Sequence, residues 1–295
     1  MIFVELQQLE YFRIIAKNQN ISASAKQLFI AQPSLSQTLK RLENEVGMPL
    51  FDRVGKQIVL NKAGEIFLKH VNAVFQSLDN AKRELQTYKE DTLKNVCICV
   101  QSTSLLIPEI ISEIQTAYPK MHLQLLQHAD MELMPYDLKI FSDYTHISES
   151  SETILMEEPL GVVIPKKHRL AKKDNLTISD LANESFISLS TGHNLYNIIS
   201  HYCKECDFTP TISTYVDSPN IMRDLLKINL GIAFIPKYTW EHFYSDFLVF
   251  KHVSDLPMKR YILLSWDESR YMTPSVEHCK QIIINYFKRY KQRFM

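Results

Sequence analysis

The chain has 295 residues, 45% hydrophobic and 22% charged, with 33 basic and 33 acidic side chains and a net charge of zero. That is the composition of a globular protein with room for two or three domains, and no apolar run approaches the roughly 20 residues that span a bilayer. Six glycines, none closer than eight residues to the next, exclude the clustered glycines of a P-loop or dinucleotide fingerprint.

The even balance hides an asymmetry. Residues 1–90 carry twelve Lys/Arg against nine acids, leaving +3 there and −3 in the remainder. Glu5, Glu10 and Arg13 give the N-terminus too much charge for a signal peptide. The five cysteines (Cys97, Cys99, Cys203, Cys206, Cys279) are scattered and odd in number, unlike a disulfide framework. A cytoplasmic location and no membrane partner are expected.

A first helix is predicted from about Leu6 to Lys17. A second follows with Asn20 as N-cap, and Ile21, Ala25 and Leu28 form its buried stripe. "FIAQP" interrupts it, and Pro33 sits in the first turn of a third helix, where proline is tolerated. In that helix Leu35, Leu39, Leu42 and Val46 share one face, while Pro33, Gln37, Lys40 and Asn44 lie opposite. Ser34 and Arg41 flank one edge and Ser36 the other. Gly47 is its terminator. A hairpin follows, from Leu50–Arg53 to Gln57–Leu60, with Arg53 and Lys56 at its tip. Asn61 caps a long helix from about Lys62 to Glu90. Its apolar positions Phe67, Val71, Val74, Leu78, Ala81, Leu85 and Tyr88 alternate at spacings of four and three, the seam of a dimerising coiled coil.

The first three helices and the hairpin form a winged helix-turn-helix. In such modules the recognition helix enters the major groove of double-stranded DNA. Gln37 suits adenine, Lys40 guanine or phosphate, Ser34 and Ser36 the backbone near a helix N-terminus, and Arg53 and Lys56 the flanking phosphates or minor groove. A surface helix facing water carries similar side chains, so the pattern alone leaves both readings open.

From Asn95 the pattern changes to alternating strands and helices. "VCICVQ", "HLQLLQ", "DLKIF", "LGVVIP", "SFISLS", "TISTYV", "GIAFIP", "FLVFKHV" and "RYILLSW" are strand candidates. Helices are expected near 103–117, 177–183, 194–206, 219–229 and 274–291. The expectation is an α/β domain of one or two lobes with mostly parallel strands.

Residues 6–64 resemble the DNA-binding domain of the LysR-type transcriptional regulators. The resemblance rests on "SAKQLFIAQPSLSQTLKRLENEVGMPLFDRVGKQIVLNKAG", with Gln32, Pro33, Ser36, Leu42, Glu43, Gly47, Leu50, Phe51, Arg53, Leu60, Ala63 and Gly64 in the family's places. Ser24 stands for an alanine, Lys56 for an arginine and Asn61 for a threonine. Later blocks follow in order: "LLIPEIISEIQTAYP", "PLGVVIPKKHRLA", "LTISDLANESFISLS" and "LKINLGIAFIP".

The resemblance implies an α/β multi-domain protein: a winged helix-turn-helix (1–61), a linker and dimerisation helix (62–91) and a two-lobed periplasmic-binding-protein-like effector domain (92–295). Its first lobe would hold about 92–160 and 267–295, its second about 161–266. It also implies a DNA-binding dimer or tetramer, a small-molecule co-inducer between the lobes, no other cofactor, and RNA polymerase as a partner. Counted back from Pro108, Gln101, Ser102 and Thr103 fall at the family's first-lobe effector position. Ser190, Thr191 and His193 face them from the second lobe. Between "HLQLLQ" and "DLKIF" this chain is shorter than the family pattern, so residues 128–136 trim the first lobe.

Other signals are weaker. The pair Cys203 and Cys206, with His193 and His201 nearby, supports an alternative reading as a thiol- or redox-responsive regulator of the same family; one CxxC is poor as a metal site. "PKKHRLAKK" reads as a solvated loop. No catalytic or metal-ligating constellation appears, so neither an enzyme nor an exported solute-binding protein is expected.

Overall fold

The computed structural model describes residues 4–54, 57–89, 95–127, 136–146, 150–243 and 247–294. The chain divides into two compact units, residues 1–89 with 269–271, and residues 90–268 with 272–295.

The first unit carries α1 (Leu6–Asn18), α2 (Ile21–Gln27), α3 (Gln32–Val46), the hairpin β1 (Phe51–Val54) and β2 (Gln57–Leu60), and α4 (Lys62–Lys89). The Asn20 side chain accepts a hydrogen bond from Ala23 N at 2.9 Å, which starts α2. Gly47 ends α3 at φ +86°, a conformation that costs a side chain on the order of 1–2 kcal/mol. Glu43 then accepts Leu50 N at 2.8 Å and fixes the turn from α3 into the wing. Phe12, Ile15, Leu35, Leu42 and Leu50 form a fully buried centre. Ser24, also fully buried, donates to Asn20 O at 2.8 Å, so the hydroxyl that replaces an alanine is satisfied. Asn61 caps α4 through Gly64 N at 2.9 Å. A Cβ at Gly64 would lie 2.1 Å from Leu50 O, so only glycine lets α4 start against the wing.

Phe67 and Val71 on α4 do not extend the expected dimer seam, because both pack into the core of their own unit. Val71 is 2% exposed, and the Phe67 ring meets Phe12 edge-on at 5.2 Å. The seam beyond them is open within the chain: Val74, Leu78, Ala81 and Leu85 are exposed. The Tyr88 side chain lies outside the described residues.

The second unit contains β3 (Val96–Val100), α5 (Ile107–Ala117), β4 (Leu123–Leu126), β5 (Leu138–Asp143) and the long β6 (Glu152–Pro165). Then come α6 (Ile178–Leu181), β7 (Ser185–Leu189), α7 (Asn194–Glu205), β8 (Thr211–Val216), α8 (Pro219–Lys227) and β9 (Ala233–Pro236). β10 (Leu248–Lys251), β11 (Lys259–Ser265) and α9 (Pro274–Gln292) complete it. The main sheet runs β10-β6-β11-β5-β3-β4, with β9 also on β6; β7 and β8 pair separately.

Two cores divide this unit into lobes. Ile98, Ile110, Ile140 and Phe287 lie in the first, and Val162, Phe186, Ile198 and Leu226 in the second. β6 feeds both, with Leu155 and Met156 in the first core and Leu160 onward in the second. Strand direction departs from the mostly parallel expectation. β3, β4 and β5 are parallel, as are β7 and β8, but every pairing of β6 and of β11 is antiparallel. The chain crosses out on β6 and back on β11, and two adjacent strands crossing in opposite senses must be antiparallel. The return crossing also comes earlier than residue 267, because Ile262 and Leu264 already belong to the first core. Residues 128–135, most of the segment expected to trim the first lobe, lie outside the described residues.

Candidate DNA-facing surface and interlobe site

The third helix buries Leu35, Leu39 and Leu42 and turns Gln32, Pro33, Ser34, Gln37, Lys40 and Arg41 outward; Ser36 is half-buried. Ala31, its N-cap, provides no side-chain cap. The first-turn N–H groups are therefore not taken up by a capping side chain. Among the described residues, the side chains of Gln37, Lys40, Arg41 and Arg53 have no hydrogen bond or ion pair. Arg53 is exposed on β1, opposite Ile58 in register. Lys56 lies outside the described residues. A basic and amide-bearing face with unspent donors, beside a two-stranded wing, is suited to phosphates and base edges.

Sequence reasoning missed one residue here. Phe29 is 96% exposed in the turn before α3, at φ +55°. The only signal was its place in "FIAQP", where an aromatic side chain sits in a turn and has no stripe to join.

In the second unit Gln101, Ser102 and Thr103 follow β3. Ser102 and Thr103 are buried and Gln101 half-buried. They do not cap α5 directly, because a 3-10 turn over Ser104–Leu106 intervenes. Thr103 adopts φ +60°, an outlying conformation for a β-branched residue, and its hydroxyl donates to Ser102 O at 2.6 Å. Backbone strain of this kind clusters at binding sites.

The Ser102 hydroxyl meets a buried polar network at the lobe junction. Arg260 Nη1 donates to it at 3.3 Å and approaches the Ser142 hydroxyl at 3.5 Å. Arg260 Nε donates to Glu158 Oε1 at 2.8 Å, and Nη2 donates to the Thr239 hydroxyl at 2.9 Å. Glu158 also accepts the Thr239 hydroxyl at 2.8 Å and the N–H groups of Tyr238 and Thr239 at 3.1 and 2.9 Å. Arg260 is 2% exposed and Glu158 fully buried, so the charges are paired and hydrogen-bonded out of water. Nothing in the sequence reading had singled out Arg260, Glu158, Ser142 or Thr239. The available signal was an opposite charge in each of two apolar strands, "MEEPLGVV" and "KRYILLSW".

Ser190, Thr191 and His193 precede α7. The Ser190 hydroxyl is taken up by Asp217, Thr191 is exposed, and His193 is the N-cap but makes no side-chain cap bond. Among the described residues no hydrogen bond joins these three to Gln101, Ser102 or Thr103. A contact across the lobes comes instead from the middle of α7, where the His201 ring stacks on Tyr144 with centroids 3.7 Å apart.

Cys203 is buried, and burial pushes its thiol up to about 12; Cys206 is exposed at the helix end. Among the described residues no three His, Cys, Asp or Glu side chains are placed to hold a metal ion, and no helix is long and apolar enough to cross a membrane.

Residues 6–65 match the bacterial regulatory helix-turn-helix family of the LysR type, and residues 94–288 match the LysR substrate-binding domain. The Bacillus subtilis (strain 168) HTH-type transcriptional regulator YybE is 30% identical over 292 residues, covering 96% of this chain and 99% of its own. Two solved structures share the fold. Full-length CbnR with its target DNA has TM-score 0.57 and 16% identity, covering 97% of this chain and 100% of that one. The effector-binding domain of QuiR with shikimate has TM-score 0.54 and 22% identity, covering 67% of this chain and 99% of that one. With both domain matches in order and a relative aligned nearly end to end, this chain belongs to the LysR family of transcriptional regulators, DNA-binding proteins with an effector-binding domain.

Proposed function

We propose that the chain reads DNA through Gln37, Lys40 and Arg41 on α3, with Ser34 and Ser36 at the backbone and Arg53 and Lys56 on the wing. The observation that carries this is the exposed, unpaired state of Gln37, Lys40, Arg41 and Arg53 on one helix and its adjoining hairpin. Gln32 and Pro33 position the start of that helix. Phe29 adds an apolar face beside it, suited to a thymine methyl or a sugar.

Two copies pair through the exposed α4 face of Val74, Leu78, Ala81 and Leu85, as a dimer or a dimer of dimers in the cytoplasm. A pseudo-palindromic target with half-sites one or two turns apart follows from that symmetry. RNA polymerase is the expected protein partner at the promoter.

The effector is a small molecule held at the lobe junction, with Gln101, Ser102 and Thr103 on one side and Ser190, Thr191 and His193 on the other. Ser102 supports this reading because its hydroxyl bonds Arg260 on a crossing strand. A ligand that claims that hydroxyl also bears on the strands joining the lobes. Regulation then requires different effector affinity in two lobe arrangements. Shikimate on QuiR is a small polar carboxylate in a domain of the same fold.

The test is a footprint on DNA upstream of the protein's own gene, with and without candidate metabolites. A protected pseudo-palindrome whose pattern changes with one metabolite is expected. Gln37→Ala should relax base preference at one position in each half-site, at a cost of about 1–3 kcal/mol. An unchanged footprint for that variant removes α3 as the reading helix.

A further inference from the structure

The second lobe holds a cavity of about 250 Å³ between α7 and the β7–β8 pair. It shares no lining residue with the interlobe site. Its floor is apolar, formed by Phe186, Ile212, Met222 and Phe234 together with one stripe of α7, Leu195, Ile199 and Cys203 at i, i+4 and i+8. The next stripe of the helix, Tyr196, Ser200 and Lys204, has the same spacing and forms the mouth with Tyr215. A helix lying on a sheet normally fills that second stripe with bulk. Here the small Ser200 leaves the space open.

Lys204 is the one charged residue in the lining, and among the described residues its ammonium has neither a hydrogen bond nor an ion pair. Neighbouring Glu205 is turned to His201, 3.3 Å away. Tyr215 is 52% exposed at the rim, its ring 6.3 Å from Tyr196. Apolar cavities near 150 Å³ take a benzene ring, so this one has room for a ring with a short arm. Apolar walls with a few convergent polar groups are the usual form of a small-molecule site.

We propose that this cavity is a second ligand site, for a small amphipathic monoanion whose ring or short chain lies on Ile199 and Phe234 and whose carboxylate meets Lys204. Because α7 also carries His193 at its start and His201 against Tyr144, occupancy here acts on the helix that borders the lobe junction.

The full chain, isoleucine methyl-labelled, is titrated by NMR with 3-phenylpropionate and with its neutral amide. Saturable shifts are expected at the Ile199 and Ile212 methyls, with a dissociation constant on the order of a millimolar or below. The amide, and the acid on Lys204→Glu, should bind about threefold to fivefold more weakly. Ile199→Trp should fill the cavity and abolish the shifts. If that variant does not fold, Lys204→Glu at the exposed rim carries the test alone. Thr191→Val, at an exposed position of the interlobe site, should leave the titration intact, which separates this site from the interlobe one. The proposal is overturned by the absence of saturable shifts, by equal binding of acid and amide, or by loss of the titration in Thr191→Val.

Discussion

Arg260 and Glu158 stand directly opposite each other in register on β11 and β6, the two strands that cross between the lobes. Their side chains form an ion pair at 2.7 Å with 3% and 0% of their surfaces exposed. Both carboxylate oxygens of Glu158 and all three guanidinium nitrogens of Arg260 have a hydroxyl, an amide or the other charge to meet. The network therefore clamps the crossing point and holds the Ser102 hydroxyl at the same time.

Arg260→Met should destabilise the chain by about 3–5 kcal/mol, because it strands a buried carboxylate rather than merely removing an attraction. The double variant Glu158→Gln with Arg260→Met should recover much of that loss, since no uncompensated charge remains. Urea unfolding of the parent chain, both single variants and the double variant measures the coupling. Additive losses would mean that the two side chains do not act as a pair.

What the sequence made legible follows from how local each signal is. The caps at Asn20 and Asn61, the stop at Gly47 and the stripe Leu35, Leu39, Leu42 are set by residues within a few positions of one another, and they formed where the sequence put them. The outward placement of Gln37, Lys40 and Arg41 was legible for the same reason. The crossing network was not, because Arg260 meets Ser102 and Glu158 across more than a hundred residues, and each charge alone looks like an interruption of a strand. Phe67 and Val71 failed differently. Their heptad spacing is real, but periodicity shows which face of a helix is apolar and not what covers it. Here the first turns of α4 are covered by Phe12 and its neighbours.

That division of α4 makes a prediction that separates folding from assembly. Val71→Ala should cost roughly 1–3 kcal/mol of stability through a lost buried contact. Leu78→Ala and Leu85→Ala should leave unfolding of the winged domain nearly unchanged while weakening self-association. Thermal unfolding and sedimentation equilibrium read the two effects apart. If Leu78→Ala destabilises the fold as much as Val71→Ala and leaves the oligomer intact, the open face is not the dimer seam.

Arg53 and Phe29, both exposed in the first unit, should differ in salt behaviour if that unit meets DNA as proposed. Arg53→Ala removes a phosphate-neutralising charge, so it should weaken binding to all sequences and reduce the slope of log K against log salt by about one. Phe29→Ala removes only apolar contact and should weaken binding without changing that slope. Fluorescence anisotropy on one duplex at several salt concentrations compares them. Matching slopes for Arg53→Ala and the parent chain would take the wing out of the contact.

The thiol alternative has a chemical test of its own. A reactive cysteine needs a thiolate, and Cys203 lies in the last turn of α7, where the helix dipole opposes negative charge and burial holds the thiol near 12. At pH 8 it is therefore held in the protonated, unreactive form. Native protein treated with iodoacetamide at pH 8 should therefore be modified at exposed Cys206, while buried Cys203 and Cys279 stay protected until the chain is unfolded. Raising the pH should not expose Cys203 until the alkaline range in which its proton leaves. Peptide mass spectrometry resolves the three sites. A Cys203–Cys206 disulfide formed by peroxide in the folded protein, together with an altered footprint, would reinstate the thiol reading against the small-molecule one.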